Sequence, residues 1–345
     1  MAGKRTHHLP RMLQKGFASH FTRKGDAYAW WYRREETPIN LNTINIGVEG
    51  GFYSVAKEQT LDEAMTDLEV ATESTIADLR AGPPRELTDT KLIVDYIAHL
   101  ELRTFHLRQS LMNLGNAAVP MLLSFIDDES KFSTWMRRRL KADPKLLGDS
   151  ISAKAKELGL QAPDPKELAD ALEPYMDDLL TQIWPNFSRM IDALRASLPR
   201  IMRDASKQGQ LKALTTALSP PAKVDTYEKL SYRLIDTHTP LILGDSGLPF
   251  QVADKKPIRT IFSADYPLIA VLLPIGTNRL LVGNAIDYEP DLERLPLEVA
   301  RCSFDYFIAS SNTERNAHLA DEIGTATELM STEEMTAILN EVMAT

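Results

Sequence analysis

A change in the spacing of apolar residues along the chain constrains its fold more than any other feature. Between residues 61 and 215, apolar side chains recur at the three- and four-residue intervals of amphipathic helices. The first series begins with Leu61, Met65 and Leu68, and Gly82-Pro83-Pro84 stops the helix that it predicts. The segments on either side contain short runs that are typical of strands, with helical spacing only near the two ends of the chain.

These flanking runs predict the fold class. Ala27–Tyr32 reads as a strand after the Lys24-Gly25-Asp26 turn, and residues 39–46 could pair with it. After Pro220-Pro221, strands are predicted at 240–243, 268–273, 279–282 and 304–309. We therefore expect an α+β fold, with an N-terminal hairpin unit and a C-terminal sheet around a helical middle segment. The segments are 1–60, 61–215 and 216–345, packed as one compact body.

Several helix boundaries follow from capping and breaking residues. The pattern predicts a helix from about Thr88 to Leu114 and another that Trp184-Pro185 interrupts. It also predicts a short helix over 227–236. Ser331-Thr332-Glu333-Glu334 is typical of a helix start, and Met335, Ile338, Leu339 and Val342 would then form one apolar face.

Composition places the chain among globular proteins and excludes several classes of site. Hydrophobic residues make up 43% and charged residues 25%, which is enough apolar content for a core. Cys302 is the only cysteine, so an internal disulfide and a multi-cysteine zinc site are both excluded. The formal net charge of −9 weakens the case for non-specific binding to nucleic acid.

The chain carries no predicted membrane segment. Its most apolar stretch, 267–273, ends at Pro274 and is far shorter than the roughly 20 residues that cross a bilayer. The basic N-terminus is not followed by a long apolar run. Together with the single cysteine, these features predict a cytoplasmic protein without a membrane partner.

Two adjacent histidines near the N-terminus are the most unusual local feature. They stand in Thr6-His7-His8-Leu9-Pro10-Arg11, before a predicted helix from Pro10 to about Ser19 that carries Leu9, Leu13 and Phe17 on one face. An imidazole can act as a general base or bind a metal. Adjacent side chains on an extended segment point in opposite directions, so one histidine faces a given site, and we favour His8. The alternative is that a histidine only braces the helix start.

Short motifs through most of the chain resemble an uncharacterised bacterial family, the domain of unknown function numbered 4238. The family opens with His-His/Tyr-x-Pro-Arg before an aromatic, and this chain has His7-His8-Leu9-Pro10-Arg11 and Phe17. Further matches are Leu68-Glu69, Arg103-Thr104 and Leu273-Pro274-Ile275-Gly276, followed by Leu280. The family's strand ending in Ser-Asp-x-Pro matches either Leu243-Gly244-Asp245-Ser246 or Ser263-Ala264-Asp265-Tyr266-Pro267. The resemblance groups these residues as candidates without implying a function.

Asp245 and Asp265 are the candidate acidic residues. A carboxylate just after a strand is where open α/β sheets bind ligands, and divalent cations prefer such oxygen donors. With His8 and Glu69, either aspartate could form a catalytic site that activates water for phosphodiester or amide hydrolysis. Mg²⁺ or Mn²⁺ would be bound by His8 and Asp245, and Arg11 and Arg103 would bind an anionic substrate. The alternative is turn chemistry, because Asp-Ser-Gly and Asp-Tyr-Pro are favourable turns.

Two other patterns at these positions have simpler explanations. The spacing of Gly244-Asp245-Ser246-Gly247 does not match the Gly-x-Ser-x-Gly nucleophile elbow, so serine catalysis is disfavoured. Glu69 and Arg103 lie on neighbouring predicted helices, where they form either a buried ion pair or a phosphate clamp. The ion pair is the simpler interpretation.

Basic and aromatic residues are concentrated in the first 34 positions. Arginine with aromatic rings is a common way to hold single-stranded nucleic acid, although most charged runs are only solvated faces. The residues are Lys4, Arg5, Arg11, Lys15, Arg23, Lys24, Arg33 and Arg34, with Trp30, Trp31 and Tyr32 among them. Nucleic acid or another phosphate-bearing ligand is therefore the predicted partner.

Two functional hypotheses follow from the sequence. The first is a metal-dependent hydrolase, in the manner of a nuclease-type effector, that uses His8, Glu69 and one of the two aspartates. The second is a non-enzymatic nucleic-acid-binding or regulatory module whose surface is the N-terminal unit. They differ in whether His8 shares a site with Asp245 or Asp265.

Overall fold

The computed structural model describes residues 5–50, 59–143, 145–146, 154–159, 161, 164–253, 258, 267–327 and 336. Contacts divide the chain into two compact units, Met1–Leu111 with Ala205–Leu329, and Met112–Asp204 with Met330–Thr345. Each unit therefore combines stretches that are far apart in sequence. The α+β class predicted from the apolar spacing is confirmed.

The described strands all belong to the first unit. In chain order they are β1 (Arg5–His7), β2 (His20–Phe21), β3 (Ala27–Tyr32), β4 (Ile39–Asn42), β5 (Val48–Gly50), β6 (Arg85–Glu86), β7 (Ser231–Asp236), β8 (Leu243–Gly244), β9 (Phe250–Val252), β10 (Leu268–Gly276), β11 (Arg279–Asn284) and β12 (Phe307–Ala309).

Both units contain helices among the described residues. They are α1 (Arg11–Lys15), α2 (Gln59–Ala81), α3 (Lys91–Arg103), α4 (Phe105–Ser124), α5 (Glu129–Ala142), α6 (Pro165–Leu172), α7 (Met176–Thr216), α8 (Pro221–Tyr227), α9 (Leu295–Cys302) and α10 (Glu314–Asp321). Short 3₁₀ turns occur at Thr43–Asn45 and Glu173–Tyr175. Among the helices described, none is both long and apolar enough to cross a membrane.

One sheet joins the two ends of the chain within the first unit. Its strands run β2-β3-β12-β8, and β4 pairs with β3 along residues 28–31, so N-terminal strands belong to the same sheet as C-terminal ones. Tyr32 is opposite Phe307, and their rings stack with centroids 4.9 Å apart. The Tyr32 hydroxyl also donates to Asn312 Oδ1 at 2.9 Å. These contacts hold the N-terminal hairpin on the rest of the unit.

A second sheet of the same unit also has five strands, in the order β6-β7-β11-β10-β9. The helix predicted over 227–236 is wrong, because the last six of these residues form β7 and all of them pair with β11. Tyr232 and Leu234 are buried while Arg233 and Ile235 are half-buried, which is the two-residue alternation of a strand. Pairing along a whole neighbouring strand outweighs a weak local helix signal.

The first helix is shorter than predicted. Leu9, Leu13 and Phe17 are all buried, as expected, but α1 ends at Lys15 rather than near Ser19. Gly16 follows it and lies against β10, where an added Cβ would come within 2.2 Å of the Ile275 carbonyl oxygen. The Gly16 carbonyl accepts a hydrogen bond from Thr277 N at 3.1 Å. The close approach to β10 therefore ends the helix.

The helix predicted from Thr88 to Leu114 is two helices. Thr104 has extended backbone angles and separates α3 from α4. The break leaves carbonyl groups without helical partners, and the Gln210 amide of α7 donates to two of them, Leu102 O at 2.7 Å and Thr104 O at 3.0 Å. The interruption predicted at Trp184-Pro185 does not occur, because α7 continues through Pro185 and Pro199.

Packing in the second unit explains why α7 continues through Pro185. Phe132 of α5 lies 5.5 Å from Trp184 and 4.2 Å from Phe187, measured between ring centroids. Aromatic contacts on both sides of the proline hold the helix together despite the missing backbone donor. The helix start predicted at Ser331 lies outside the described residues.

Candidate functional site

The His7-His8 motif lies where the N-terminal strand meets β5. His7 pairs with Val48 across the β1–β5 ladder, and His8 N donates to Gly47 O at 2.9 Å. The His7 ring contacts Ile44 O through Nε2 at 3.2 Å. Burial lowers the pKa of His7 to about 4, so its imidazole is neutral near neutral pH.

His8 is paired with a carboxylate that the sequence analysis did not select. Its Nε2 lies 3.1 Å from Glu49 Oε2, and Arg108 Nη2 lies 2.5 Å from the same oxygen. Burial lowers the pKa of His8, and the hydrogen bond to Glu49 opposes that change. Burial would raise the pKa of Glu49, but hydrogen bonds from His8 and Arg108 outweigh it and lower the pKa to about 2. Glu49 is therefore ionised and shared between an imidazole and a guanidinium.

Arg103 contacts the backbone of the same segment. Its Nε and Nη2 donate to His7 O at 3.1 and 2.8 Å, and its Nη1 is paired with Glu69. The Arg103 side chain is almost completely buried, and a buried guanidinium needs partners of this kind. The predicted ion pair between Glu69 and Arg103 is confirmed. It connects α2 and α3 to the backbone of the histidine motif.

Arg11, the other candidate for binding an anion, is half-buried at the start of α1. It lies near enough to His7 for its charge to contribute to the lowered pKa of that histidine. Its Nε is buried and has no hydrogen-bond partner among the described residues.

Asp245 lies in the turn after β8, as predicted, but its carboxylate accepts hydrogen bonds from backbone N–H groups. Oδ1 accepts from Phe304 N at 2.9 Å, and Oδ2 accepts from Asp305 N at 2.6 Å and Tyr306 N at 3.3 Å. Burial raises the pKa of Asp245 to about 7, against the effect of these donors. The geometry matches the turn-chemistry alternative, because the carboxylate organises the loop before β12.

The rule for ligand sites in open α/β sheets does not apply to Asp245. That rule concerns parallel strands with their carboxyl ends at one edge. β8 pairs with β12 in the antiparallel direction, and every strand pair among the described residues is antiparallel. The position after β8 therefore carries no expectation of a ligand.

The described residues do not assemble the predicted metal site. No group of three or more His, Cys, Asp or Glu side chains within the described ranges could hold a metal ion. His8 contacts Glu49, Asp245 contacts the 304–306 backbone, and Asp265 lies outside the described residues. The hydrolase site therefore stays a prediction.

Sequence reasoning missed Glu49 and Arg108, the residues that pair at His8. Glu49 and Arg108 are separated by 59 positions, and no local pattern pairs them. Only the spacing between Glu69 and Arg103 on predicted neighbouring helices carried a usable signal.

A second candidate surface is the open part of the sheet formed by β2, β3 and β4. Residues that face each other across antiparallel strands lie on the same side of the sheet, and alternate residues on one strand do too. His20 is opposite Tyr28, and Trp30 is opposite Asn40. We call these four residues the aromatic face.

The aromatic face is accessible and ordered by local contacts. His20 is exposed, and the other three residues are half-buried. The His20 and Tyr28 rings stack with centroids 5.0 Å apart and an interplanar angle of 14°. Asn40 Nδ2 donates to Ser19 Oγ at 2.9 Å, and that oxygen lies 3.0 Å from His20 Nδ1. The opposite side of β3 carries Ala27 and Ala29, both buried in the core.

Basic residues stand at both ends of β3. Arg23 and Lys24 are exposed in the turn before it, and Arg33 and Arg34 follow it. Arg33 pairs with Glu36 at 2.8 Å, and Arg34 lies 3.9 Å from Glu35. Acidic neighbours therefore reduce the positive charge after β3. Arg137, from the second basic cluster of the sequence, is paired with Glu173 and Asp177.

The chain has no recognised relatives in three comparisons. No protein-family model, no curated protein and no solved structure matches it. The resemblance to the domain of unknown function 4238 therefore stays a prediction, and functional arguments depend on the geometry of this chain.

Proposed function

We propose that this protein is a nucleic-acid-binding module that holds a single strand on the aromatic face. The observation that carries the proposal is the strand register, which puts His20, Tyr28 and Trp30 on one side of the sheet. Nucleic-acid bases stack on such rings with little dependence on sequence, because every base has a π face.

The distribution of charge supports a strand that runs along β3. The six residues of β3 span about 20 Å, with Arg23 and Lys24 before them and Arg33 after them. A single strand stacked on the rings would bring its phosphates toward these cations. Arg23 and Lys24 are expected to contribute more than Arg33, which is already paired with Glu36.

The contacts of the histidine motif also favour binding over hydrolysis. His8, Glu69 and Arg103 all have protein partners that account for their burial and charge. Those partners fix the N-terminal segment onto the first unit, close in sequence to β2 and β3. The motif then supports the surface that binds, and it needs no metal for that role.

Substitutions on the two sides of β2 test the proposal. His20→Ala and Tyr28→Leu each remove a stacking ring, and each is expected to weaken binding of a labelled oligothymidylate or oligouridylate by about 5- to 150-fold. Phe21→Ala is the matched control, because Phe21 is the next residue, is 58% exposed and lies on the other side of the sheet. Equal losses in His20→Ala and Phe21→Ala would contradict the proposal.

The salt dependence of the binding affinity measures how much the phosphate contacts contribute. Replacing both Arg23 and Lys24 with Ala should reduce the slope of log affinity against log salt by about 0.7 for each lost phosphate contact. Incubation of the same oligonucleotides with the protein and Mg²⁺ or Mn²⁺ tests the alternative, a metal-dependent hydrolase. Metal-dependent cleavage that disappears in His8→Ala would favour the hydrolase hypothesis over a binding module.

A further inference from the structure

A polar cavity of about 370 Å³ lies on one side of the second sheet, a volume within the range of small-molecule sites. We call it the β7 cavity, and its lining includes Glu86, Ser231, Arg233, Asn284, Ile286 and Asp287. Strand register explains why the first four residues meet. Glu86 is opposite Arg233, and Ser231, two positions before Arg233 on β7, is opposite Asn284. Pairs of this kind and alternate residues of one strand lie on the same side of a sheet.

The loop after β11 forms another wall of the β7 cavity and is held by side chains of two strands. Arg233 Nη2 donates to Tyr288 O at 2.9 Å, and Asn284 Nδ2 donates to the same oxygen at 3.2 Å. Ala285 N also donates to Ile269 O at 2.8 Å. These hydrogen bonds order the loop without a ligand, so binding requires little rearrangement of this wall.

The charge around the β7 cavity is negative. Arg233 Nη1 pairs with Glu289 Oε1 at 2.6 Å. This hydrogen bond raises the pKa of Arg233, and the charges of Glu86 and Asp287 add to the effect, so both carboxylates lie near the guanidinium. Three carboxylates thus surround one cation, which leaves two negative charges uncompensated. In the part of the chain that the structure describes, neither Glu86 nor Asp287 forms an ion pair.

The two unpaired carboxylates lie on opposite flanks of β7. β6 carries Glu86 and β11 leads into Asp287, and these strands are about 10 Å apart because β7 lies between them. Beside Asp287, the side chain of Ile286 is 60% exposed and offers an apolar surface. Within the described ranges no group of three or more His, Cys, Asp or Glu side chains could hold a metal ion. The arrangement therefore suits an elongated organic cation with a charge at each end.

Neutral acceptors add to the carboxylates. Asn284 Oδ1 is buried and has no hydrogen-bond partner among the described residues, and an acceptor in that state costs free energy until a donor reaches it. The hydroxyl of Ser231 is on the exposed part of the lining. An ammonium group carries three donors and no acceptor, so it can bind a carboxylate and a neutral oxygen together.

We propose that the β7 cavity binds a small aliphatic diamine. One ammonium group pairs with Glu86 and the other with Asp287, and the alkyl chain lies against Ile286. The two positive charges of the ligand match the two uncompensated negative charges of the site. The inference is independent of nucleic-acid binding on the aromatic face.

Calorimetric titration of the full chain at physiological salt tests the proposal. The affinity for 1,4-diaminobutane should exceed that for n-butylamine by about tenfold or more, because only the diamine reaches both carboxylates. Glu86→Gln and Asp287→Asn should each remove this advantage. Glu63→Gln is the matched control and should keep it, because Glu63 is exposed near the start of α2 and β6 follows the other end of that helix.

The position of the ligand has its own readout. The methyl resonances of Ile286 should shift when 1,4-diaminobutane is added to the protein, and the shift should disappear in the variant that combines Glu86→Gln with Asp287→Asn. Absence of saturable diamine binding, or an advantage over n-butylamine that survives in both single variants, would overturn the proposal. Tighter binding of N-acetyl-lysine N-methylamide than of the diamine would also overturn it, by indicating a lysine side chain as the ligand.

Discussion

His8 Nε2 and Glu49 Oε2 lie 3.1 Å apart, and this contact joins the N-terminal motif to the segment around β5. Arg108 shares the same carboxylate oxygen. The two histidines of the motif thus have different partners, Ile44 for His7 and Glu49 for His8. The motif fastens the N-terminal strand through contacts that involve residues far apart in sequence.

Removal of the Glu49 charge should destabilise the first unit. Glu49→Gln is expected to reduce the free energy of unfolding by about 2 kcal/mol, below the usual cost of breaking a buried pair because Glu49 is partly exposed. Glu73→Gln is the matched control, since Glu73 pairs with Lys15 at an exposed position and should cost less than about 1 kcal/mol. Urea unfolding of both variants measures the difference. Equal losses of unfolding free energy in the two variants would show that the Glu49 contacts add no more stability than an exposed ion pair.

Arg103→Lys should loosen the attachment of β1. Lysine cannot reproduce two hydrogen bonds to His7 O together with the Glu69 pair, so we expect a loss of about 1–3 kcal/mol. Hydrogen exchange should also become faster at the amides of residues 5–8. Arg137→Lys, at a more exposed ion pair, should change neither quantity by much. Unchanged exchange in Arg103→Lys would contradict the role of Arg103.

Stability should fall on acidification because of buried histidines. Burial lowers the pKa values of His99 and His106 to about 4, below the value of 6.5 expected in the unfolded chain. The unfolded state therefore binds more protons between pH 6.5 and 4, and the free energy of unfolding decreases as the pH falls through that window. The expected loss approaches about 3 kcal/mol for each histidine at the acid end.

His106→Asn tests this pH dependence. Asparagine does not titrate, so the slope of stability against pH between 6.5 and 4 should become shallower. His318→Asn is the control, since it removes a histidine that is exposed on α10 rather than buried. Denaturant unfolding at a series of pH values supplies the measurement, and identical slopes in both variants would refute the assignment.

Asp245 should change the pH dependence of stability in the direction opposite to that of the buried histidines. Its folded pKa of about 7 exceeds the ordinary value of 3.8, so the folded state binds the proton more tightly, and the contribution decreases as the pH rises from about 4 to 7. Asparagine has one acceptor oxygen and one NH₂ group, so Asp245→Asn cannot accept all three backbone N–H hydrogen bonds. We expect the free energy of unfolding to decrease by about 2–3 kcal/mol near pH 7. The loss should grow as the pH falls toward 4. A loss that shrinks on acidification would argue against the raised pKa.

Much of the local structure could be predicted because it depends on neighbouring residues. The helix ending before Gly82, the strand at Ala27–Tyr32 and the burial of Leu9 and Leu13 all agree with the sequence patterns. The Glu69–Arg103 pair could also be predicted, since it needs only two adjacent helices. Among the catalytic candidates, the sequence could suggest residue types but not which side chains meet.

Long-range contacts account for what the sequence patterns left undetermined or predicted wrongly. The partner of His8 is Glu49, held by Arg108, and no spacing along the chain brings those three together. Likewise, α7 continues past Pro185 because Phe132 packs against both Trp184 and Phe187. A local break signal was outweighed by packing with another helix.

The sequence alone determined the α+β class and the positions of several helices and strands, because hydrophobic periodicity and turn residues act over a few positions. Only the tertiary structure decided that β3 pairs with β12 and that His20, Tyr28 and Trp30 lie on one side of the sheet. It also decided that Asp245 organises a loop through backbone N–H groups. These outcomes depend on pairing and burial between distant segments, and the free energy of such contacts is not encoded in local spacing.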